Sequence, residues 1–326
     1  MKNKNKNKNK KSRRPKPRSN RSNNSTPPTR IIQPVVRQRR GMPSSAFMSQ
    51  VCGLYNPFCV ESVGAKIPDV SSGKTLTMCV RLLQPIGTDA QGNAMYLFNA
   101  NPALIGTFAT MNAVGDVTAT TSLGPVPIYT ALTLYCKAYR VVSFGCKFVP
   151  TSSYMNAKGS LIATETDSGI VLGMNNRDMT MSPVSFARSV VGEPLLFTSR
   201  VTDLEYTDYK DISSTDAGGQ RTRLILSVTG GEVSTVIGQV EFIMNLELTP
   251  LPASPGAYFA TSSLPANPAL VNTAATLSIK TPTFHSGTEQ SFTQVVEDEL
   301  KSIAGTAIRT GGSYLRSSIM SAMIAP

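Results

Sequence analysis

The residues of this 326-residue chain whose type and spacing could do chemistry are concentrated in one acidic segment. The run DLEYTDYKD places the carboxylates of Asp203, Glu205, Asp208 and Asp211 close together. Hard cations such as Ca²⁺ take several carboxylate and carbonyl oxygens at once. Asp208 and Asp211 form an Asp-x-x-Asp pair that could supply two ligands, while another segment or subunit supplies the rest. The alternative is a solvated acidic turn beside Lys210.

Other residue types give no catalytic constellation. The sole histidine, His285, lies in a Pro-, Thr- and Ser-rich segment, whereas Ser-His-Asp or Cys-His chemistry needs a histidine oriented by structured neighbours. The five cysteines are scattered and form no Cys-x-x-Cys pair; they are Cys52, Cys59, Cys79, Cys136 and Cys146. This pattern indicates buried free thiols in a reducing compartment. No Gly-x-x-x-x-Gly-Lys loop for nucleotide phosphates occurs. The sequence therefore predicts no enzyme.

The largest deviation from an ordinary composition is a cationic segment containing KNKNKNKNK. Residues 1–40 hold 15 of the 32 Lys and Arg and none of the 20 Asp and Glu. The other 17 cations and 20 acids give residues 41–326 a net charge of −3. The predicted polyanion-binding residues are Lys2, Lys4, Lys6, Lys8, Lys10, Lys11, Arg13, Arg14, Lys16, Arg18, Arg21, Arg30, Arg37, Arg39 and Arg40.

This segment has too few apolar residues to offset chain entropy, so we predict a disordered arm over residues 1–41. Nucleic acid is the first partner expected for so many cations, and an anionic membrane the second. KKSRRPKPR could also serve as a nuclear import signal. Aromatic residues are not interleaved with the cations, so binding should be electrostatic and largely independent of base sequence.

The body of the chain alternates with the period of β-strands. TLTMCVRL, YRVVSFGCKFVP and VEFIMNLEL each place apolar residues on one face, and RLILSV is apolar throughout. In the second run that face is predicted to contain Val142, Phe144, Cys146 and Phe148. Gly, Pro, Asn and Asp clusters separate the runs, and no regular strand–helix alternation appears. We predict an all-β, antiparallel sandwich or jelly roll over residues 75–250.

The flanking segments have different patterns. We predict an irregular connector over residues 42–74 and an extended, uncharged linker over residues 251–285. Within the body, SPVSFARS at 182–189 predicts a short helix, because serine can cap it and proline suits its first position. Residues 286–326 are predicted to form an amphipathic helical tail that begins with a capping box of Ser291 and Gln294.

In the order of its segments, the chain resembles coat proteins of small non-enveloped icosahedral positive-strand RNA viruses, of the sobemovirus, tombusvirus and nodavirus kind. AYRVVSFGCKFVPTSSYMNAKGSLIATETDSG is similar to the paired strands C and D of their shell domain, here 138–151 and 159–166. SPVSFARS is similar to the short helix that follows, and GQVEFIMNLELTP to the last shell strand. The resemblance covers about residues 75–250.

The resemblance implies an eight-stranded jelly roll that self-assembles into an icosahedral T=3 shell of about 180 copies. The basic arm would package the single-stranded RNA genome, and the protein would occur in the virion and, during assembly, in the host cytoplasm. Relatives bind Ca²⁺ at subunit contacts through an Asp-x-x-Asp pair, which Asp208 and Asp211 match in spacing. The helical tail is similar to an internal helix of nodavirus-like coats, so it could pack under the shell or act on membranes. The alternative is a non-assembling RNA-binding protein of the movement or silencing type.

Overall fold

The computed structural model describes residues 45–69, 73–151, 158–180, 182, 184–190, 192–200, 208–214, 221–262 and 265–309. Its helices are α1 (Ser45–Tyr55), α2 (Tyr129–Tyr135), α3 (Asn176–Thr180), α4 (Gly256–Phe259), α5 (Pro268–Lys280) and α6 (Glu289–Arg309), with a 3₁₀ turn at Val60–Ser62. Its strands are β1 (Lys74–Gly87), β2 (Ala94–Phe98), β3 (Gly106–Met111), β4 (Val117–Ser122), β5 (Cys136–Pro150), β6 (Ser160–Thr166), β7 (Ser185–Ser189), β8 (Leu195–Thr198), β9 (Lys210–Asp211), β10 (Arg223–Thr229), β11 (Val236–Pro250), β12 (Thr261–Ser262) and β13 (Phe284–Ser286).

The strands form two antiparallel sheets. One has seven strands in the order β12-β1-β11-β5-β8-β13, with β9 also paired to β5, and the other has the order β4-β3-β2-β10-β6-β7. The predicted antiparallel β-sandwich is confirmed. The count of eight is not, because the described residues contain thirteen strands. Several of the additional strands are short pairings whose two or three residues are too few to give a period of two, namely β9, β12 and β13.

The sandwich core is formed by the alternating faces of the long strands. Phe144 of β5 and Phe242 of β11 face inward with ring centroids 5.3 Å apart, and Cys146 and Phe148 share their face. Val142 was predicted on this face, but it packs on the opposite side of the sheet. The pairing of β5 with β11 shifts register at Asn245/Leu246, and this bulge turns the side chain of Val142 over.

Three helices, α1, α5 and α6, cover the outer face of the seven-stranded sheet, and we call them the helical layer. They pack on one another and on the sheet through a second buried cluster, which includes Phe47, Val51, Tyr55, Val142, Leu196, Ile243, Leu270, Leu277, Phe292 and Val296. The predictions of an irregular connector at 42–74 and an extended linker at 251–285 are therefore wrong in part. Asn267 caps α5 by accepting from the Leu270 amide, and Pro268 begins the helix.

Two local predictions within the sandwich are also wrong. Residues 185–189 of the predicted helix form strand β7, which pairs with β6 at the edge of its sheet. The backbone hydrogen bonds to β6 and the packing of Phe186 on the core outweigh the local helix signals. The segments compared with paired strands C and D are strands, β5 and β6, but they lie in different sheets. Each pairs with other partners, β5 with β11 and β8, and β6 with β10 and β7.

At Gly145 of β5, the turn that follows α1 packs directly on the seven-stranded sheet. A Cβ atom there would lie 2.6 Å from the Phe197 carbonyl oxygen and 2.6 Å from Cγ of Pro57. We therefore expect Gly145→Ala to lower the free energy of unfolding by about 1–3 kcal/mol, measured by urea unfolding. Gly169 is the matched control, because no atom lies within 4 Å of its Cβ position. A Gly145→Ala effect no larger than that of Gly169→Ala would contradict this packing.

Candidate assembly and nucleic-acid interface

The helical layer is the part of the described structure to which both ends of the chain are joined. Its first helix begins at Ser45, close behind the last predicted RNA-binding residue, Arg40. Its last helix ends at Arg309, where the described residues end. The predicted RNA-binding residues of the arm, and the part of the tail beyond 309, lie outside the described residues. The basic segment is therefore connected to the sandwich through this layer.

A buried ionic cluster formed by Asp69, Arg140 and Glu247 holds the segment before β1 against the seven-stranded sheet. Arg140 and Glu247 are cross-strand partners on β5 and β11, and both side chains are fully buried. Arg140 donates to Glu247 Oε2 from Nε at 2.9 Å and from Nη2 at 2.7 Å. It also donates to Asp69, which closely follows the 3₁₀ turn. Opposite charges in contact compensate the loss of hydration that burial imposes.

Neutral groups complete the shell of the buried ionic cluster. Thr75 donates its hydroxyl to Glu247 Oε1 at 2.7 Å, and the Ile67 amide donates to Oε2 at 3.1 Å. The Ile67 carbonyl accepts from Arg140 Nη2 at 2.8 Å. The ring of Tyr209 lies under the guanidinium, 4.4 Å from its carbon, and burial raises the pKa of this phenol. The cluster thus ties the segment before β1, two central strands and the Tyr209 segment together.

Further polar contacts hold the start of α6 on the sheet. Lys147 of β5 donates to Glu289 at 2.6 Å and lies 3.9 Å from Glu241. The predicted capping box of Ser291 and Gln294 is wrong, because α6 begins at Glu289. The Ser291 amide donates to the Thr288 hydroxyl, which caps the helix three residues before the predicted position. The amphipathic character predicted for this helix is confirmed, because its apolar side chains Val296 and Leu300 are buried in the helical layer.

His285 belongs to this junction and not to a solvated linker. It lies in β13, its Nε2 is 2.9 Å from Ser291 Oγ, and its ring centroid is 5.6 Å from that of Phe292. Ser291 Oγ donates its proton to the Thr288 carbonyl at 2.7 Å, so it accepts from His285 Nε2. The serine hydroxyl and the imidazole therefore join the strand to the helix.

The titration of His285 should make stability depend on pH. Burial lowers the pKa of the imidazole below its ordinary value of 6.5, against the opposing effect of the Glu193 carboxylate. The unfolded chain therefore binds a proton at His285 more readily than the folded chain does. The stability that the neutral imidazole contributes is complete above pH 6.5 and is lost as the pH falls through 6.5 toward the pKa of the folded state. We expect His285→Gln to remove this slope from urea unfolding measured between pH 7.5 and 5. An unchanged slope would contradict the packing of the ring.

The proposed calcium ligands lie at an exposed edge of the seven-stranded sheet. Asp211 is in β9, and its carboxylate accepts from the Ser213 amide at 2.8 Å and from the Ser213 hydroxyl at 2.5 Å. These hydrogen bonds lower the pKa of Asp211. Among the described residues, Asp208 and Asp211 belong to no group of three or more His, Cys, Asp or Glu ligand atoms within 4.8 Å of one another. Asp203 and Glu205 lie outside the described residues, and Ca²⁺ binding stays a prediction.

The cysteines are free, as predicted, and four of the five are buried. Cys52 and Cys59 lie together where the chain passes from α1 into the 3₁₀ turn, and a hydrogen bond between the two sulfur atoms, together with burial, raises the pKa of Cys59.

None of the helices within the described residues combines the length and apolarity that crossing a membrane requires. An action of the α6 tail on membranes stays a prediction.

No protein-family model and no curated protein sequence matches the chain. Solved structures do match. The structure of infectious bursal disease virus Gt strain aligns with a TM-score of 0.54 at 9% identity, over 76% of this chain and 99% of that one. The T13 particle of the same virus gives 0.53 at 9% identity, over 79% and 98%. The chain shares the fold of viral capsid proteins.

A further neighbour is tobacco necrosis virus, with a TM-score of 0.39 at 12% identity, over 54% of this chain and 97% of that one. The fold likeness rests on the two bursal-disease-virus structures, because their scores are higher and cover more of this chain. The identities are too low to transfer residue roles. The functional argument therefore depends on this chain's own charges, contacts and surfaces.

Proposed function

We propose that this protein is a coat protein that assembles into a closed icosahedral shell and packages single-stranded RNA through residues 1–41. The observation that carries the proposal is the joining of a capsid fold to a strongly cationic segment through the helical layer. The body has a net charge of −3, so it would repel RNA weakly, and the cationic segment would supply the attraction.

The charge supplied by the cationic segment suits a genome. Fifteen cations per copy in a T=3 shell of about 180 copies would bring on the order of 2,700 positive charges to the interior. An RNA of a few thousand nucleotides has a comparable number of phosphates. Since counterion release gives no base specificity, the segment would act as a flexible array of charges. The helical layer would then be the inner surface of the shell.

Negative-stain electron microscopy of the purified full-length protein, with nuclease-protected RNA measured in parallel, tests this function. We expect uniform closed particles that contain RNA resistant to nuclease. The alternative, a non-assembling RNA-binding protein, predicts soluble monomers or irregular aggregates with RNA that nuclease digests. That second result would refute the coat-protein assignment.

A further inference from the structure

Four large apolar side chains at one end of the sandwich are exposed and do not belong to the buried core. Tyr258 and Phe259 of α4 are 90% and 77% exposed, and Leu134 and Tyr135 of α2 are 61% and 43% exposed. We call these four residues the aromatic patch. Burial of such side chains is favourable, so full exposure of two neighbouring aromatics is costly unless another molecule covers them.

The fold brings α2 and α4 to the same place. Helix α2 leads directly into β5 and α4 follows β11, and these strands are neighbours whose ends pair at Cys136 and Pro250. The Leu251 amide donates to the Tyr135 carbonyl at 2.9 Å, which ties the two segments together. Helix α4 also lies on the start of β1, because a Cβ at Gly256 would be 3.0 Å from the side chain of Leu76. The aromatic patch is therefore one surface at one end of the sheet.

The charge pattern around the aromatic patch identifies its partner. The two stretches that build it, residues 117–136 and 248–279, contain no Asp, Glu, Lys or Arg. RNA and anionic membranes are recognised by groups of cations, which these stretches lack, and the neighbouring ammonium of Lys66 donates to the Thr261 carbonyl and hydroxyl. The centre of a protein–protein interface, in contrast, is depleted of charge and enriched in Tyr and Phe.

We propose that the aromatic patch is a contact between subunits and that its occupant is a second copy of this chain. The proposal rests on the proposed function, since a shell protein must bury surface against its own copies. Two uncharged surfaces of the same chain meet without like-charge repulsion and without burying an unpaired charge. Aromatic side chains bury about 150–250 Å² each, so Tyr258 and Phe259 would supply a large share of the roughly 800 Å² per partner of a specific interface.

The test compares two double variants of the full-length chain. Tyr258→Ser/Phe259→Ser removes the two most exposed side chains of the aromatic patch. Val114→Ser/Leu172→Ser is the matched control, because these residues are 79% and 68% exposed. Val114 lies in the turn between β3 and β4, which is held to Asp89 beyond the far end of β1, and the Asp116–Asn175 bridge joins this turn to the segment of Leu172. Both variants should keep the wild-type unfolding midpoint, since exposed substitutions change stability little. Particle yield is measured by electron microscopy, and subunit association by light scattering after chromatography.

We expect the aromatic-patch variant to stay folded but to lose closed particles, with subunit association weakened on the order of tenfold or more, while the control assembles as wild type. Wild-type assembly by the aromatic-patch variant would overturn the inference and leave the proposed function standing. A wild type that forms dimers but no shells would refute the proposed function. If in that case the aromatic-patch variant is monomeric and the control is still dimeric, the contact between subunits would be supported. A monomeric wild type would refute both.

Membrane binding is the remaining competing occupant. Flotation with vesicles of phosphatidylcholine and phosphatidylserine separates it from self-association. The inference predicts no difference in flotation between wild type and the aromatic-patch variant. Vesicle binding that Tyr258→Ser/Phe259→Ser abolishes, with assembly unaffected, would show that the patch faces lipid and would overturn the inference.

Discussion

Replacing Arg140 by methionine is expected to lower the free energy of unfolding by about 3–5 kcal/mol, because it leaves the Glu247 carboxylate buried without its counter-charge. Both side chains are fully buried, and Arg140 makes two hydrogen bonds to Glu247 and one to Asp69. The Thr75 hydroxyl and the Ile67 amide would remain on the carboxylate, but neutral donors do not replace the guanidinium charge. Urea unfolding followed by tyrosine fluorescence measures the effect, since the chain has ten tyrosines and no tryptophan.

Arg81 provides the matched control for this substitution. Its guanidinium lies 3.5 Å from Glu241 in the same sheet, but the side chain is 47% exposed. We expect Arg81→Met to cost less than about 1 kcal/mol. The double variant Arg140→Met/Glu247→Leu should cost less than the sum of its single changes, with a coupling of about 1–3 kcal/mol. Equal effects at Arg140 and Arg81 would mean that the buried ionic cluster does not hold the sheet as described.

Removing residues 1–41 is expected to abolish RNA packaging and to leave smaller or empty shells. The deletion takes away all 15 cations of the arm, and the remaining body has a net charge of −3. Attraction to phosphate would then be lost, whereas the sandwich and the helical layer would be retained. Nuclease-protected RNA per particle measures the loss, and electron microscopy shows the shells. Loss of the shells together with the RNA would indicate that the segment is also required for assembly.

A graded series tests whether this binding is electrostatic. Changing Lys2, Lys4, Lys6, Lys8 and Lys10 to glutamine should flatten the salt dependence of RNA binding by up to about 3.5 in log–log slope, at about 0.7 per phosphate contact. A permuted arm with the same composition is the control and should behave as wild type. An abrupt loss on a single substitution, or a defect in the permuted arm, would contradict a sequence-independent charge array.

The sandwich could be predicted from the sequence because its long strands alternate with period two. The runs of β1, β5 and β11 contain this signal, and in the structure β11 lies between the other two as an antiparallel neighbour of each. Position 142 was misplaced because a bulge depends on the register with the partner strand, which a single run does not contain. The resemblance to coat proteins predicts strands β5 and β6 as a pair, but they enter different sheets.

Of the three helices of the helical layer, only α6 is predicted from the sequence, although the signal for α1 and α5 is also present. Phe47, Val51 and Leu54 recur at helical spacing in α1, as do Leu270, Ala274 and Leu277 in α5. A lack of charge in 251–279 does not by itself indicate extended chain, because Leu270, Ala274 and Leu277 are buried in a helix within this stretch. A strand with a charged residue on its outer face ordinarily faces water. Only the tertiary structure shows that Arg140 and Glu247 are covered by the segment before β1 and by Tyr209.

The particle mass of the purified full-length protein tests the central claim most directly. Each chain is 34.9 kDa, so a T=3 shell of about 180 copies has roughly 6 MDa of protein, and any closed icosahedral shell contains a multiple of 60 subunits. We expect mass measurement on intact particles, with nuclease-protected RNA quantified, to give such a multiple plus the mass of packaged RNA. A monomer or small oligomer that binds RNA without enclosing it would contradict the account.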